Sequence, residues 1–350
     1  MLQRTPSRAL ALQVALQVAL LTSLAALGCR PSEHGSDHSE ATAPSGRLTV
    51  YSGRNENLIG PVLDRFRETT GIQVAVRYGE TAELAATILE EGAASPADLF
   101  IAQDAAALGA LAAAGRLKPL PADLVGAVPA RFRDPERRWA GVSGRARVVV
   151  YNTGRTSPED LPQSLEEVGD PRFRGRFGVA PLNASFQAHL AAYRVLHGAE
   201  KLDALLAAIA ANEPRTFPNN SSIVTATIAG EVDWGLVNHY YLWRALDETP
   251  DAPARNFAMP APGSGFVNVA GVGVLEESPQ ALRLVAYLLA EESQRHFAEE
   301  TFEYPLVEGA QPAVELQPLA EVATPELDWA RLSEALAPTL EAIRRSGLVP

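Results

Sequence analysis

Between residues 48 and 114 the chain alternates strand-like and helix-like segments, and this limits its fold more than any other feature. Leu48-Thr-Val-Tyr51 is a short β-branched run that reads as a strand. After the turn Ser52-Gly53-Arg54-Asn55, residues Leu58, Ile59, Val62, Leu63 and Phe66 recur at helical spacing, and Gly71 is the stop. Residues 72–78 alternate with a period of two, 82–91 read as a helix with Leu84, Ile88 and Leu89 on one face, 98–102 as a buried strand and 105–114 as a third helix. A β-α-β-α-β order needs right-handed crossovers, so it predicts a mainly parallel sheet with helices on both sides. Ligands in such sheets lie beyond the carboxyl ends of the strands. That rule points at the loops after Tyr51 and Ala102, and so at Asn55 and Gln103.

The middle of the chain reads as a second lobe. Residues 147–151 and 176–180 are β-prone, and the second run feeds Asn183-Ala184-Ser185, a helix-capping cluster. Asn220-Ser-Ser222 precedes another helix, and the strand predicted over 232–238 ends at His239-Tyr240-Tyr241. Residues 266–274 read as a strand that returns to the first lobe, followed by a helix around Leu282–Leu289 and a long amphipathic helix from about Pro325 to Gly347. About three hundred residues exceed what one hydrophobic core serves. The expectation is an α/β chain of two lobes. One lobe is expected to hold 47–145 with 260–305, the other 146–259 with 306–350.

The amino terminus carries Arg4 and Arg8, then an apolar stretch over 9–27, then Gly28-Cys29. This is the pattern of a secretory signal over 1–28. The cysteine after the glycine resembles a lipoprotein box, which implies export and a lipid anchor at Cys29, with 29–46 as a flexible tether. Cys29 is the only cysteine, so thiolate catalysis and cysteine-rich metal sites are excluded from the folded part. A formal net charge of −12 argues against nucleic acid as a partner. Gly-x-Ser-x-Gly, His-Glu-x-x-His and a phosphate-cradling loop are all missing, so the chain is not read as an enzyme.

Tyrosine is the residue that points to chemistry. Tyr151, Tyr240 and Tyr241 fall at or just past predicted strand ends. A free phenol ionises only near about pH 10, but a trivalent cation within bonding distance favours the phenolate, and hard cations prefer oxygen donors. Adjacent tyrosines on a strand point to opposite faces, so convergence needs a turn or a helix start. Taken alone, such a pair is more often a packing feature.

Several segments in order, Leu48-Thr-Val-Tyr-Ser-Gly-Arg54, the 92–100 stretch with Ser-Pro-Ala-Asp, Val142-Ser-Gly-Arg-Ala-Arg-Val-Val-Val-Tyr151, Gly230-Glu-Val-Asp233, Asn238-His-Tyr-Tyr241 and Glu303-Tyr-Pro-Leu306, make the chain similar to the periplasmic ferric-ion-binding protein family. The resemblance implies a periplasmic-binding-protein-like α/β fold, two α/β lobes with a hinge and an interlobe ligand cleft. It implies the substrate-binding component of a bacterial ABC importer, a monomer with ferric iron, Fe(III), as cargo and membrane permease subunits as partners. It implies Tyr240 and Tyr241 as the paired iron ligands and Tyr151 as a further one. It also implies a synergistic anion, carbonate or phosphate, held by Asn183, Ala184, Ser185, Asn220 and Asn238, with Ser52 and Arg54 reaching it from the opposite lobe. A helix start suits an anion because its N–H groups are free. The chain departs from the family at Asn55 and Gln103, where many members have His and Glu ligands. That departure keeps an alternative open, the same fold binding a small organic anion or other solute (phosphonate, polyamine or thiamine-like) without metal. Arg145 and Arg147 are read as part of the interlobe crossover.

Overall fold

The computed structural model describes residues 46–349, apart from 308, 313, 315, 317, 320–321 and 323–326. The secretory signal, Cys29, nearly all of the tether and the expected helix start at Pro325 lie outside the described residues.

The first five elements follow the alternation seen in the sequence. They are β1 (Arg47–Ser52), α1 (Glu56–Thr70), β2 (Gln73–Tyr78), α2 (Thr81–Glu91) and β3 (Leu99–Ala102). The five apolar residues at helical spacing in α1 are all buried, and Gly71 ends the helix in the left-handed conformation with its N–H on the carbonyl of Arg67. β1 pairs parallel with β2 and β3. Next come α3 (Ala105–Ala113), the one-turn α4 (Ala122–Val125) and β4 (Trp139–Asn152), a strand of 14 residues all of which are buried.

β4 joins the two halves of the molecule. Its first part pairs antiparallel with β9 (Val267–Val274) and with β10 (Tyr304–Pro305). Its second part pairs antiparallel with β7 (Trp234–Asn238) and β8 (Ala254–Phe257). β5 (Phe177–Val179) then pairs parallel with β7 and β6 (Arg215–Thr216), so the main strand order is β2-β1-β3-β9-β4-β7-β5-β6. The sheet is mixed rather than mainly parallel, because β9 and β4 both run against their neighbours where the chain passes between lobes. At Gly141 a side chain is excluded, since a Cβ would lie 2.6 Å from Val269 and 2.7 Å from the carbonyl of Phe132.

The remaining helices are α5 (Ala184–His197), α6 (Ala199–Ala211), α7 (Asn220–Ile228), α8 (Tyr240–Glu248), α9 (Pro279–Leu289), α10 (Glu291–Glu300) and α11 (Trp329–Arg345). The pleat of β4 divides the apolar interior: Val148 and Val150 belong to one core, while Val149 and Tyr151 belong to a second one with Phe177, Leu202 and Trp234. Within that second core Phe177 stacks on Trp234 at 4.5 Å.

Candidate functional site

The helix α8 begins at Tyr240, directly after β7 ends at Asn238. Successive helical residues are turned by about 100° rather than the 180° of a strand, so Tyr240 and Tyr241 stay on one side. Their rings stack at 4.3 Å with an interplanar angle of 28°. Tyr240 is buried, with Arg244 over its ring at 4.9 Å and His239 edge-on at 5.9 Å. Burial first, and then the neighbouring Tyr241, hold the Tyr240 phenol well above its ordinary pKa, so it is neutral at physiological pH. His239 is fixed behind the pair: its Nδ1 accepts from the N–H of Ala146 at 3.1 Å and its Nε2 donates to the carbonyl of Phe302 at 2.8 Å. Burial lowers its pKa to about 4, which keeps the ring neutral.

Beside the tyrosines lies a buried cation. Arg147 of β4 is only 2% exposed, and its Nη1 donates to Ser185 Oγ (3.1 Å), Asn220 Oδ1 (2.9 Å) and Asn238 Oδ1 (3.2 Å). Its Nε and Nη2 have no hydrogen-bond partner, and among the described residues no carboxylate pairs with it. Burial lowers its pKa to about 9, with Tyr241 and Tyr240 opposing that fall, so it remains a cation at neutral pH. Asn183 caps α5 by accepting from the N–H of Ser185, and it accepts from Asn220 Nδ2 at 3.0 Å. Asn183, Ser185, Asn220 and Asn238 are thus one network around the guanidinium, brought together by the starts of α5 and α7 and the end of β7. Ala184 is exposed as the first residue of α5.

Across the cleft, Gln103 follows β3, and its side-chain Oε1 is buried without a partner. Its carbonyl accepts from Arg145 Nη2, while Arg145 Nε is also unpartnered. Gln103, Arg145, Ala184 and Ser185 share one cavity of about 110 Å³, which joins the two walls. Asp104 is engaged as the cap of α3, accepting from Ala107 N at 3.1 Å.

Four residues singled out from the sequence lie elsewhere. Tyr151 pairs with Trp234 while Arg147 pairs with Asn238, so Tyr151 sits four residues further along β4, roughly 13 Å away at strand rise. Its ring belongs to the second core with Phe177 and Trp234, and the strand register keeps it from Tyr240 and Tyr241. Arg54 does not reach an anion either. Its side chain is 0% exposed and ion-paired to Glu303 at 3.0 Å, with Ser143 at 2.9 Å. Ser52 is turned inward, its hydroxyl donating to the carbonyl of Arg54. Asn55 is exposed before α1 and makes no side-chain capping bond.

Sequence pattern alone places Arg145 and Arg147 in the crossover and gives Glu303 no charge partner. A signal was available. Arg145 and Arg147 are two apart in a strand flanked by Val148-Val-Val150, and a charge on a buried strand is costly unless something pairs with it. Among the described residues no three His, Cys, Asp or Glu side chains gather at one point. A hard cation held here would therefore take its protein charge from the phenols, and the open donors of Arg147 and Arg145 fit an accompanying anion.

A family model for bacterial extracellular solute-binding proteins matches residues 94–335. The chain is 32% identical over 286 residues to an Fe(3+)-binding periplasmic protein of Serratia marcescens, covering 79% of this chain and 84% of that protein. It is 33% identical over 279 residues to a major ferric iron-binding protein of Neisseria meningitidis, covering 76% of this chain and 82% of that one. The crystal structure of iron-bound HitA from Pseudomonas aeruginosa superposes with a TM-score of 0.78 at 34% identity, over 86% of this chain and 99% of HitA.

Proposed function

This chain belongs to the bacterial extracellular solute-binding proteins, and we propose that it captures ferric iron between its lobes for a membrane permease. Tyr240 and Tyr241 bind the ion as phenolates. Arg147, with Ser185, Asn220, Asn238 and the start of α5, holds a carbonate or phosphate beside it. The observation that carries this reading is the stacked tyrosine pair next to a buried guanidinium whose Nε and Nη2 have no partner.

The chemistry of capture follows from the charges. A phenol gives up its proton when it binds the cation, so loading releases protons and weakens as pH falls. The anion offsets the buried charge of Arg147, and the cation and anion each make the other's binding more favourable. The ABC-importer role includes export under the direction of residues 1–28 and tethering through Cys29. The lobes are assigned as 47–145 with 260–305, and 146–259 with 306–350, and they close about the crossovers.

The deciding experiment is a visible spectrum of the protein titrated with chelated ferric iron in bicarbonate. A phenolate-to-iron charge-transfer band saturating at one iron per chain is expected, and it is lost in Tyr240→Phe and Tyr241→Phe. Unchanged iron affinity in both variants would remove the tyrosine site. The neutral side chains of Asn55 and Gln103 and the open donors of Arg145 and Arg147 favour one other reading, a small organic anion bound without metal. Calorimetry against organic anions in the presence of a chelator separates the two.

A further inference from the structure

A link between the two walls of the cleft lies outside the sheet. α11 packs against α3 on one side and against α5 and α6 on the other. At its start, the Trp329 indole donates to the carbonyl of Arg131 at 3.2 Å and meets Trp139 edge-on at 5.9 Å. α3 comes so close here that a Cβ on Gly109 would lie 3.0 Å from the carbonyl carbon and oxygen of Trp329. At its other end, Ala342 and Ile343 are buried in the second core together with Leu202, Leu205 and Leu206 of α6, and Arg345 pairs with Asp203 at 3.2 Å.

Between these anchors, Leu332 and Leu336 line the same 110 Å³ cavity that Gln103 and Ser185 border, facing Ala106 of α3 and Ala188 and Ala191 of α5. α3 starts just after Gln103, and α5 starts just after Asn183. Two of the helices that α11 touches, α3 and α5, are therefore the ones whose first turns form the cleft walls. Pro338 lies inside α11 between the two anchors, and it has no N–H to give to the preceding turn. The helix is weakest there.

We propose that α11 is a strap tying the two walls together, with Leu332 and Leu336 as positioning residues that set the distance between Gln103 and Ser185. Packed interiors repack in discrete steps rather than deforming smoothly. Opening the cleft thus requires the strap to leave one wall, and its apolar contacts favour the closed arrangement. Iron adds to this only through its own preference for the closed state.

The test uses the full chain with Cys29→Ser, and nitroxide labels at Glu83→Cys on α2 and Lys201→Cys on α6, both exposed positions. Interlobe distances are read by pulsed electron resonance without iron, in the unmodified strap and in Leu336→Ala and Gly109→Ala. The first variant removes a strap contact; the second pushes α3 away from Trp329. Both are expected to give a longer, broader distance distribution, and iron dissociation is expected to speed up roughly tenfold, a fraction of the usual cost of Leu→Ala. Leu336→Met restores both readings. Unchanged distances in both variants overturn the strap, whatever happens to melting temperature or dissociation. The distance readout does not depend on the cargo, whereas the dissociation rate rests on the ferric reading. Shifted distances in a protein that binds no iron would leave the strap standing and remove the cargo instead.

Discussion

Replacing Arg147 by methionine tests the site most directly, because the structure predicts opposite effects on folding and on binding. Burial lowers the Arg147 pKa from its ordinary value to about 9, which corresponds to a cost of about 5 kcal/mol for keeping this charge away from water. Methionine removes that cost and fills similar space. It also leaves Ser185, Asn220 and Asn238 short of one donor, at about 1 kcal/mol or more each. The two effects oppose each other, so the stability of the unliganded protein changes by only a few kcal/mol in either direction. Binding loses what Nε and Nη2 would have given. Two charge-assisted hydrogen bonds at about 1.5–3 kcal/mol each correspond to about two to four orders of magnitude in anion affinity. The assay is thermal unfolding against rising phosphate or bicarbonate with iron excluded. The wild type is stabilised as the anion saturates, by about 2.7 kcal/mol at a hundred times Kd, and Arg147→Met shows no such shift. Arg147→Lys recovers part of it, because a point charge replaces a two-pronged donor. An anion-dependent stabilisation in Arg147→Met equal to that of the wild type would refute the assignment.

Three further outcomes follow. Tyr151→Phe should leave ferric affinity within about twofold of wild type, since the Tyr151 ring lies in the second core; loss of the charge-transfer band would show that the placement is wrong. Glu303→Gln leaves the guanidinium of Arg54 buried without its counter-charge, and should cost about 3–5 kcal/mol in urea unfolding; a loss below about 1 kcal/mol contradicts the buried pair. His189 is buried against Phe266, and burial lowers its pKa from 6.5 to about 3. The unfolded chain takes up the proton first, so this contribution is complete above pH 6.5 and shrinks as pH falls toward 3. The loss amounts to about 2 kcal/mol by pH 5. His189→Phe should flatten the stability profile between pH 7 and 5, and an unchanged slope would argue against a neutral buried ring.

Local elements were legible because their signals are local. The spacing of Leu58, Ile59, Val62, Leu63 and Phe66 with Gly71 as the stop, and the capping role of Asn183, depend on residues a turn apart, and α1 and the start of α5 appear where expected. The need for Tyr240 and Tyr241 to sit at a helix start also came from backbone geometry alone, and α8 meets it. The place of Tyr151 was not legible, because a β-prone run says nothing about register: pairing Arg147 with Asn238 puts Tyr151 four residues further along β4, and only strand pairing fixes that. The partner of Arg54 was not legible either, because Glu303 is 249 residues away in the chain.

The sequence by itself determined the β-α alternation, the need for more than one core and the supply of hard oxygen donors at Tyr240-Tyr241. These follow from periodicity and side-chain chemistry, which a residue carries wherever it folds. The tertiary structure decided which charges are compensated. Arg54 meets the counter-charge of Glu303, while Arg147 and Arg145 are buried with open donors, Arg145 lining the cavity between α3 and α5. The reason is that compensation depends on distances of about 3 Å between segments far apart in sequence. Only the packing of β4 between β7 and β9 brings those segments together.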